Sequence, residues 1–192
     1  MLFHELPIGG AFLIDPERKE DERGFFARAW CREEFAAHGI HCEWAQFNIS
    51  YNRRRGTLRG LHYQEAPWGE PKLVRCIAGA IYDVIVDLRP TSSQYGRWLA
   101  TELNARSGQM LYVPDGFAHG FQTLMDDVEI LYMMGQMYHP ESGRGLRWDD
   151  PALGIVWPEC DQRIISDTDQ NFPDSVPLRT LQARPGPRRA AA

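Results

Sequence analysis

The chain has 192 residues, with 21 basic against 26 acidic side chains and a formal net charge of −5. That length suits one domain with one core, large enough to stand without disulfide or metal staples. The acidic balance speaks against general nucleic-acid binding, and no apolar run nears the roughly 18 residues of a membrane helix. The start, Met1-Leu-Phe-His-Glu5, lacks a basic stretch followed by an apolar one, so a cytoplasmic chain is expected, with neither membrane nor nucleic acid as partner.

The 17 Gly and 13 Pro punctuate short runs rich in Val, Ile, Tyr and Phe, the texture of an all-β jelly roll or related barrel with few short helices. In chain order, 31–38 predicts a helix of about two turns stopped by Gly39. A strand over 73–77 is joined through Ala78-Gly79 to the clearest strand, 80–88. There Tyr82, Val84, Val86 and Leu88 share one face, while Asp83 and Asp87 interrupt the other. Further strands are expected over 98–103, 110–113, 120–124 and 128–134. No internal repeat is visible, which removes solenoids and propellers. Residues 179–192 carry almost no large apolar side chain and read as a frayed tail to a single domain over 1–178.

Chemistry concentrates in two places. In Gly56-Thr-Leu-Arg-Gly-Leu-His-Tyr-Gln64, Arg59 and His62 stand three residues apart. A regular strand would send them to opposite faces, unless Gly60 bends or bulges the chain. In Gly108-Gln-Met-Leu-Tyr-Val-Pro-Asp-Gly-Phe-Ala-His119, a strand runs into a Pro-Asp-Gly turn shortly before a histidine. Cys31, Cys42, Cys76 and Cys160 form no Cys-x-x-Cys pair and match no zinc spacing, so they read as free thiols of a reducing compartment.

Gly108, Pro114, Gly116 and His119 resemble the second half of the cupin signature. Its first half normally supplies His-x-His and Glu as metal ligands, where this chain has His62-Tyr63-Gln64, so no metal is expected. Six blocks sharpen the resemblance to the dTDP-4-dehydrorhamnose 3,5-epimerase family. They are Asp21-Glu-Arg-Gly-Phe-Phe26, Leu58-Arg-Gly-Leu-His-Tyr-Gln64, Lys72-Leu-Val-Arg-Cys76, Val113-Pro-Asp-Gly-Phe-Ala-His-Gly-Phe121, Arg147-Trp-Asp-Asp-Pro151 and Gly154-Ile-Val-Trp-Pro158. The resemblance as a whole runs over about residues 5–177.

The resemblance implies a cupin-type jelly roll and an isomerase that inverts C3 and C5 of a nucleotide-linked 4-keto-6-deoxyhexose through an enolate. It assigns the base to His62, its aspartate partner to Asp169 and the opposite-face acid to Tyr132. Arg23, Arg59, Lys72 and His119 would meet the enolate oxygen or the diphosphate, and Tyr138 would stack on the base. No cofactor is implied, because the ketone already acidifies both carbons. In the family the N-terminal segment holding Arg23 adds to a neighbouring subunit, which implies a homodimer.

At further substrate-contact positions, around Gln46 and Asn48, the chain departs from the family pattern. It has Arg28 in place of Glu, Phe47 in place of Asp or another residue, Gly143 in place of Glu and Thr168 in place of Lys. These changes keep a CDP-linked sugar open beside a dTDP-linked one, and inversion at C3 alone beside inversion at both carbons. A non-catalytic sugar-nucleotide-binding cupin would be expected to have lost His62, Tyr132 or Asp169, and all three are present.

Overall fold

Apolar and polar residues alternate over short runs closed by Gly or Pro, which builds strands and leaves little length for helix. The computed structural model describes residues 1–174. The expected domain boundary at 178 and the tail over 179–192 lie outside the described residues. The strands are β1 (Leu2–Glu5), β2 (Phe12–Asp15), β3 (Arg18–Asp21), β4 (Gly24–Ala27), β5 (Gln46–Asn52), β6 (Leu58–Gln64) and β7 (Lys72–Ala78). They continue with β8 (Ala80–Asp87), β9 (Trp98–Asn104), β10 (Met110–Val113), β11 (Phe117–Thr123), β12 (Val128–Met134) and β13 (Gly143–Gly145). Two short helices, α1 (Arg32–Ala37) and α2 (Asp167–Gln170), complete the described residues.

The strands form a six-stranded sheet in the order β1-β2-β10-β7-β12-β5 and a five-stranded sheet in the order β13-β6-β11-β8-β9, with β3-β4 as a separate hairpin. This is the expected all-β jelly roll. Between the two sheets lies a core drawn from both, with Val74, Leu111 and Ile130 from one and Ile81, Ile85 and Phe121 from the other. Burying each such side chain contributes about 1.5–3 kcal/mol. A second cluster covers the outer face of the five-stranded sheet, where Leu146, Leu153 and Trp157 of the C-terminal segment close over Leu58, Leu61, Val84 and Val86. A third lies under α1, where Phe35 and Ile40 pack on Ile14, Leu73 and Met133.

Strand β8 shows how this layering directs chemistry. Tyr82, Val84 and Val86 do share a face, but it is the outer one, under the C-terminal segment. Asp83 and Asp87 therefore lie on the inner face with Ile81 and Ile85, and both are fully buried. Strand β11 begins earlier than expected, at Phe117, because pairing with β8 resumes directly after Gly116 (Phe117 opposite Asp87). His119 thus sits inside a paired strand and not in a loop. The helix is one residue shorter at each end than expected, with Cys31 as its extended N-cap and Gly39 past its end at φ 76°.

Candidate active site

The register of β6 against β11 settles the problem of Arg59 and His62. His119 pairs with His62 and Phe121 pairs with Arg59, so two steps on β11 match three on β6. One extra residue on β6 makes a bulge, and a bulge restores two residues of odd spacing to a common face. Gly60 makes it possible, at φ 115°, where a side chain would be strained. A Cβ there would also lie 2.6 Å from the Cα of Gly120, so the two glycines let the strands close on each other.

Both side chains line a cavity of about 570 Å³ between the sheets. His62 stands on the five-stranded sheet and Tyr132 on the six-stranded sheet, so the two reach the same cavity from opposite walls. Nε2 of His62 lies 2.8 Å from Oδ1 of Asp169, with the imidazole side chain 49% exposed and the carboxylate 7%. Oδ2 of Asp169 accepts the backbone N–H of Gly60 at 3.1 Å, and the Ser166 hydroxyl caps α2 by accepting the backbone N–H of Asp169. Burial pushes the Asp169 pKa up, but His62 and these hydrogen bonds outweigh it, and the carboxyl is held below its ordinary value. Among the described residues, Nδ1 of His62 has no protein partner, leaving it open to the cavity as a proton acceptor.

On the opposite wall, burial first and the Asp83 carboxylate second raise the Tyr132 phenol above its ordinary range. It is a protonated donor at neutral pH. Its ring stands edge-on to His119 at 6.2 Å. His119 in turn donates to Asp83, 2.9 Å and 3.1 Å from the two carboxylate oxygens, and both side chains are buried. Burial pushes Asp83 up while the imidazole works against it. Two cations reach the same space. Arg59 is held through Nε by the Asn52 amide at 2.8 Å, a neutral partner that leaves its charge available. Lys72, nearly fully buried, lies 2.6 Å from Glu70.

A histidine backed by a carboxylate, a neutral phenol across from it and cations nearby make an arrangement suited to moving protons beside a carbonyl. A family model described as dTDP-4-dehydrorhamnose 3,5-epimerase matches residues 5–175. The chain belongs to that family. It is 43% identical over 182 residues to the dTDP-4-dehydrorhamnose 3,5-epimerase of Sinorhizobium fredii, covering 93% of this chain and 91% of the relative. The Bacillus anthracis dTDP-4-dehydrorhamnose 3,5-epimerase, solved with TDP and PPi bound, superposes with a TM-score of 0.87 at 37% identity, over 90% of this chain and 98% of that one. A 3'-monoepimerase of Streptomyces bikiniensis, solved with dTDP-quinovose, gives a TM-score of 0.83 at 35% identity, over 89% and 86% of the two chains.

Within this epimerase fold most of the expected residues converge. Gln46 and Asn48 from β5 line the cavity beside Tyr132, and Tyr138, Gly143 and Thr168 stand around it with them. Three do not join it. Arg23, at the turn of the β3-β4 hairpin, is 90% exposed and bonds Asp21. Arg28 is paired on the surface with Glu34. Phe47 is exposed, because alternation along β5 turns it away from Gln46 and Asn48. The cysteines stay outside the cavity, and burial pushes the thiols of Cys42 and Cys76 up to about 11, which makes them poor nucleophiles.

Sequence reasoning missed Asp83, Glu70, Asn52 and Phe172. Asp83 left the clearest signal, an acid on the apolar face of a buried strand, which calls for a partner. Asn52 and Glu70 act through Arg59 and Lys72 and carry no motif of their own.

Proposed function

We propose that the enzyme inverts C3 and C5 of a dTDP-linked 4-keto-6-deoxyhexose. The observation that carries this reading is the placement of His62 and Tyr132 on opposite walls of one cavity. A sugar lying between the sheets presents one ring face to each. His62, its tautomer fixed by Asp169, removes the proton beside the C4 ketone, and the electron pair moves onto the ketone oxygen. Arg59 and Lys72 stabilise the enolate oxygen and the diphosphate. Tyr132 then gives a proton to the carbon from the other face, and exchange with solvent resets the phenolate and the imidazolium. The ketone itself acidifies both carbons, so the scheme routes no step through a cofactor. The family relatives named for dTDP sugars support dTDP over CDP.

Inversion at C3 alone is a second reading, favoured by the likeness to the Streptomyces bikiniensis monoepimerase. Mass spectrometry of the substrate in D₂O separates them, with dTDP- and CDP-linked 4-keto-6-deoxyglucose supplied in turn. Two deuterons gained on the dTDP sugar support the main reading, and one supports the second. No gain on either sugar refutes enolisation in this cavity.

A homodimer is part of the proposal. The β3-β4 hairpin projects Arg23 and an exposed Phe25 and Phe26, and Phe47, Ile49 and Tyr51 form an exposed apolar row on the edge strand β5. Such surfaces call for burial, and a hairpin exchanged between subunits would bring Arg23 to the neighbour's cavity. Sedimentation velocity tests this, with a monomer at micromolar concentration as the contrary result. No described helix is long and apolar enough to span a membrane. The cytoplasm is the proposed location, where four free cysteines stay reduced.

A further inference from the structure

One hydrogen bond cannot fix the plane of an imidazole. Asp169 holds Nε2 of His62, yet the ring can still turn about the axis through that atom, because the terminal torsion of histidine is broad. Something must set the plane if Nδ1 is to point at a substrate carbon.

In an antiparallel ladder that role falls to the residue directly across, whose side chain stands beside its partner on the same face. His62 has two such neighbours, His119 on β11 and Gly145 on β13, and Gly145 has no side chain. Its empty place is filled from elsewhere in the chain. A Cβ built on Gly145 would lie 2.2–2.4 Å from three ring carbons of Phe172, so the phenyl ring lies directly against the glycine backbone. From there it meets the His62 ring edge-on, with centroids 5.7 Å apart and planes at 77°.

Phe172 follows α2 by two residues, so one short segment carries both Asp169 and Phe172 to the same imidazole. The carboxylate fixes one atom, and the phenyl ring fixes the plane. We propose that Phe172, seated in the notch of Gly145, is a positioning residue that sets the orientation of the His62 ring. This rests on His62 being the base.

The test measures kcat, KM and solvent deuterium incorporation for Phe172→Ala, Phe172→Tyr, Gly145→Ala and His62→Ala, with folding checked by thermal melts. Phe172→Ala is expected to lose on the order of ten- to a hundredfold in kcat, since small misplacements of a reacting group cost this much. KM should stay within about twofold if the ring, which also lines the cavity, acts on His62 and not on the substrate. Phe172→Tyr keeps the ring and should recover most of the loss. Gly145→Ala should match Phe172→Ala, since the new methyl occupies the ring's seat.

A folded Phe172→Ala enzyme with full kcat, or with a change in KM alone, overturns the proposal. If the Ala variant fails to fold, Phe172→Leu replaces it, and a folded Leu variant with full kcat is equally contrary. His62→Ala separates the two levels of the reading. Exchange that survives in His62→Ala removes the base assignment and the positioning role together. Exchange lost in His62→Ala but intact in Phe172→Ala removes the positioning role alone.

Discussion

Asp169 serves two donors at once, His62 Nε2 on one oxygen at 2.8 Å and the buried Gly60 N–H on the other at 3.1 Å. Replacing it by Asn leaves one oxygen for two donors, and the variant must fail one of them. If the amide oxygen stays on Gly60, its NH₂ faces Nε2 and forces that nitrogen to accept. The proton then sits on Nδ1, which can no longer take one from the substrate. A misplaced tautomer of this kind removes the base, at a cost of about 10²- to 10⁴-fold in rate, or about 3–5 kcal/mol of barrier. If the amide flips, its NH₂ opposes the Gly60 N–H, and a buried unsatisfied donor costs about 1–3 kcal/mol of stability. In a chain of this size that lowers the melting temperature by roughly 2–12 °C. Deuterium incorporation and thermal unfolding on one preparation of Asp169→Asn read both branches. Wild-type exchange together with a wild-type melting temperature would refute the reasoning.

Three further outcomes are expected. The depressed pKa of Asp169 means that the unfolded chain binds more protons near pH 4, so the stability this carboxylate contributes is present above that range. It is lost as pH falls through the folded value, and Asp169→Asn should show a shallower acid limb in pH-dependent unfolding; an unchanged limb counts against the assignment. His119→Leu leaves Asp83 buried without its partner and should cost about 3–5 kcal/mol in urea unfolding. Adding Asp83→Leu should recover part of that, and equal losses in single and double variants would contradict a coupled pair. Tyr132→Phe should still exchange substrate protons with solvent but form inverted product about 10²-fold more slowly, as followed by NMR. Normal inversion in that variant would dismiss the phenol as the acid.

Strands that bury one face were legible. The expected bounds 110–113 and 128–134 coincide with β10 and β12, because both are dominated by apolar residues, with Glu129 the one charge in β12, and are closed by turn residues. Strands β1, β3 and β4 passed unseen, since four-residue segments such as Arg18–Asp21 are largely exposed and show no apolar alternation, and β2, though half-buried, is equally short. Strand β13 is Gly-Arg-Gly, a sequence that argues against a strand, and only its pairing with β6 creates it. The site divides the same way. Lys72 and His119 stand in motif blocks, whereas Asp83, Asn52, Glu70 and Phe172 reach the site through contacts far along the chain. Arg59 and His62 fall between these cases. Their spacing posed the question of a bulge at Gly60, and the register of β6 against β11 answered it.

The C-terminal segment that closes over the five-stranded sheet also delivers the partner of His62, 107 residues away in sequence. Ile164 is stitched to the start of β6 by backbone hydrogen bonds with Gly56 and Leu58, only a few residues before Asp169. A barrel on which this strap has not yet closed has its cavity wall and its histidine, but a histidine free to spin and an uncovered greasy sheet. On the proposed mechanism such a molecule is silent as well as sticky. On that reading turnover counts closed molecules, and an active-site titration compared with total protein would measure the fraction in which this segment is docked.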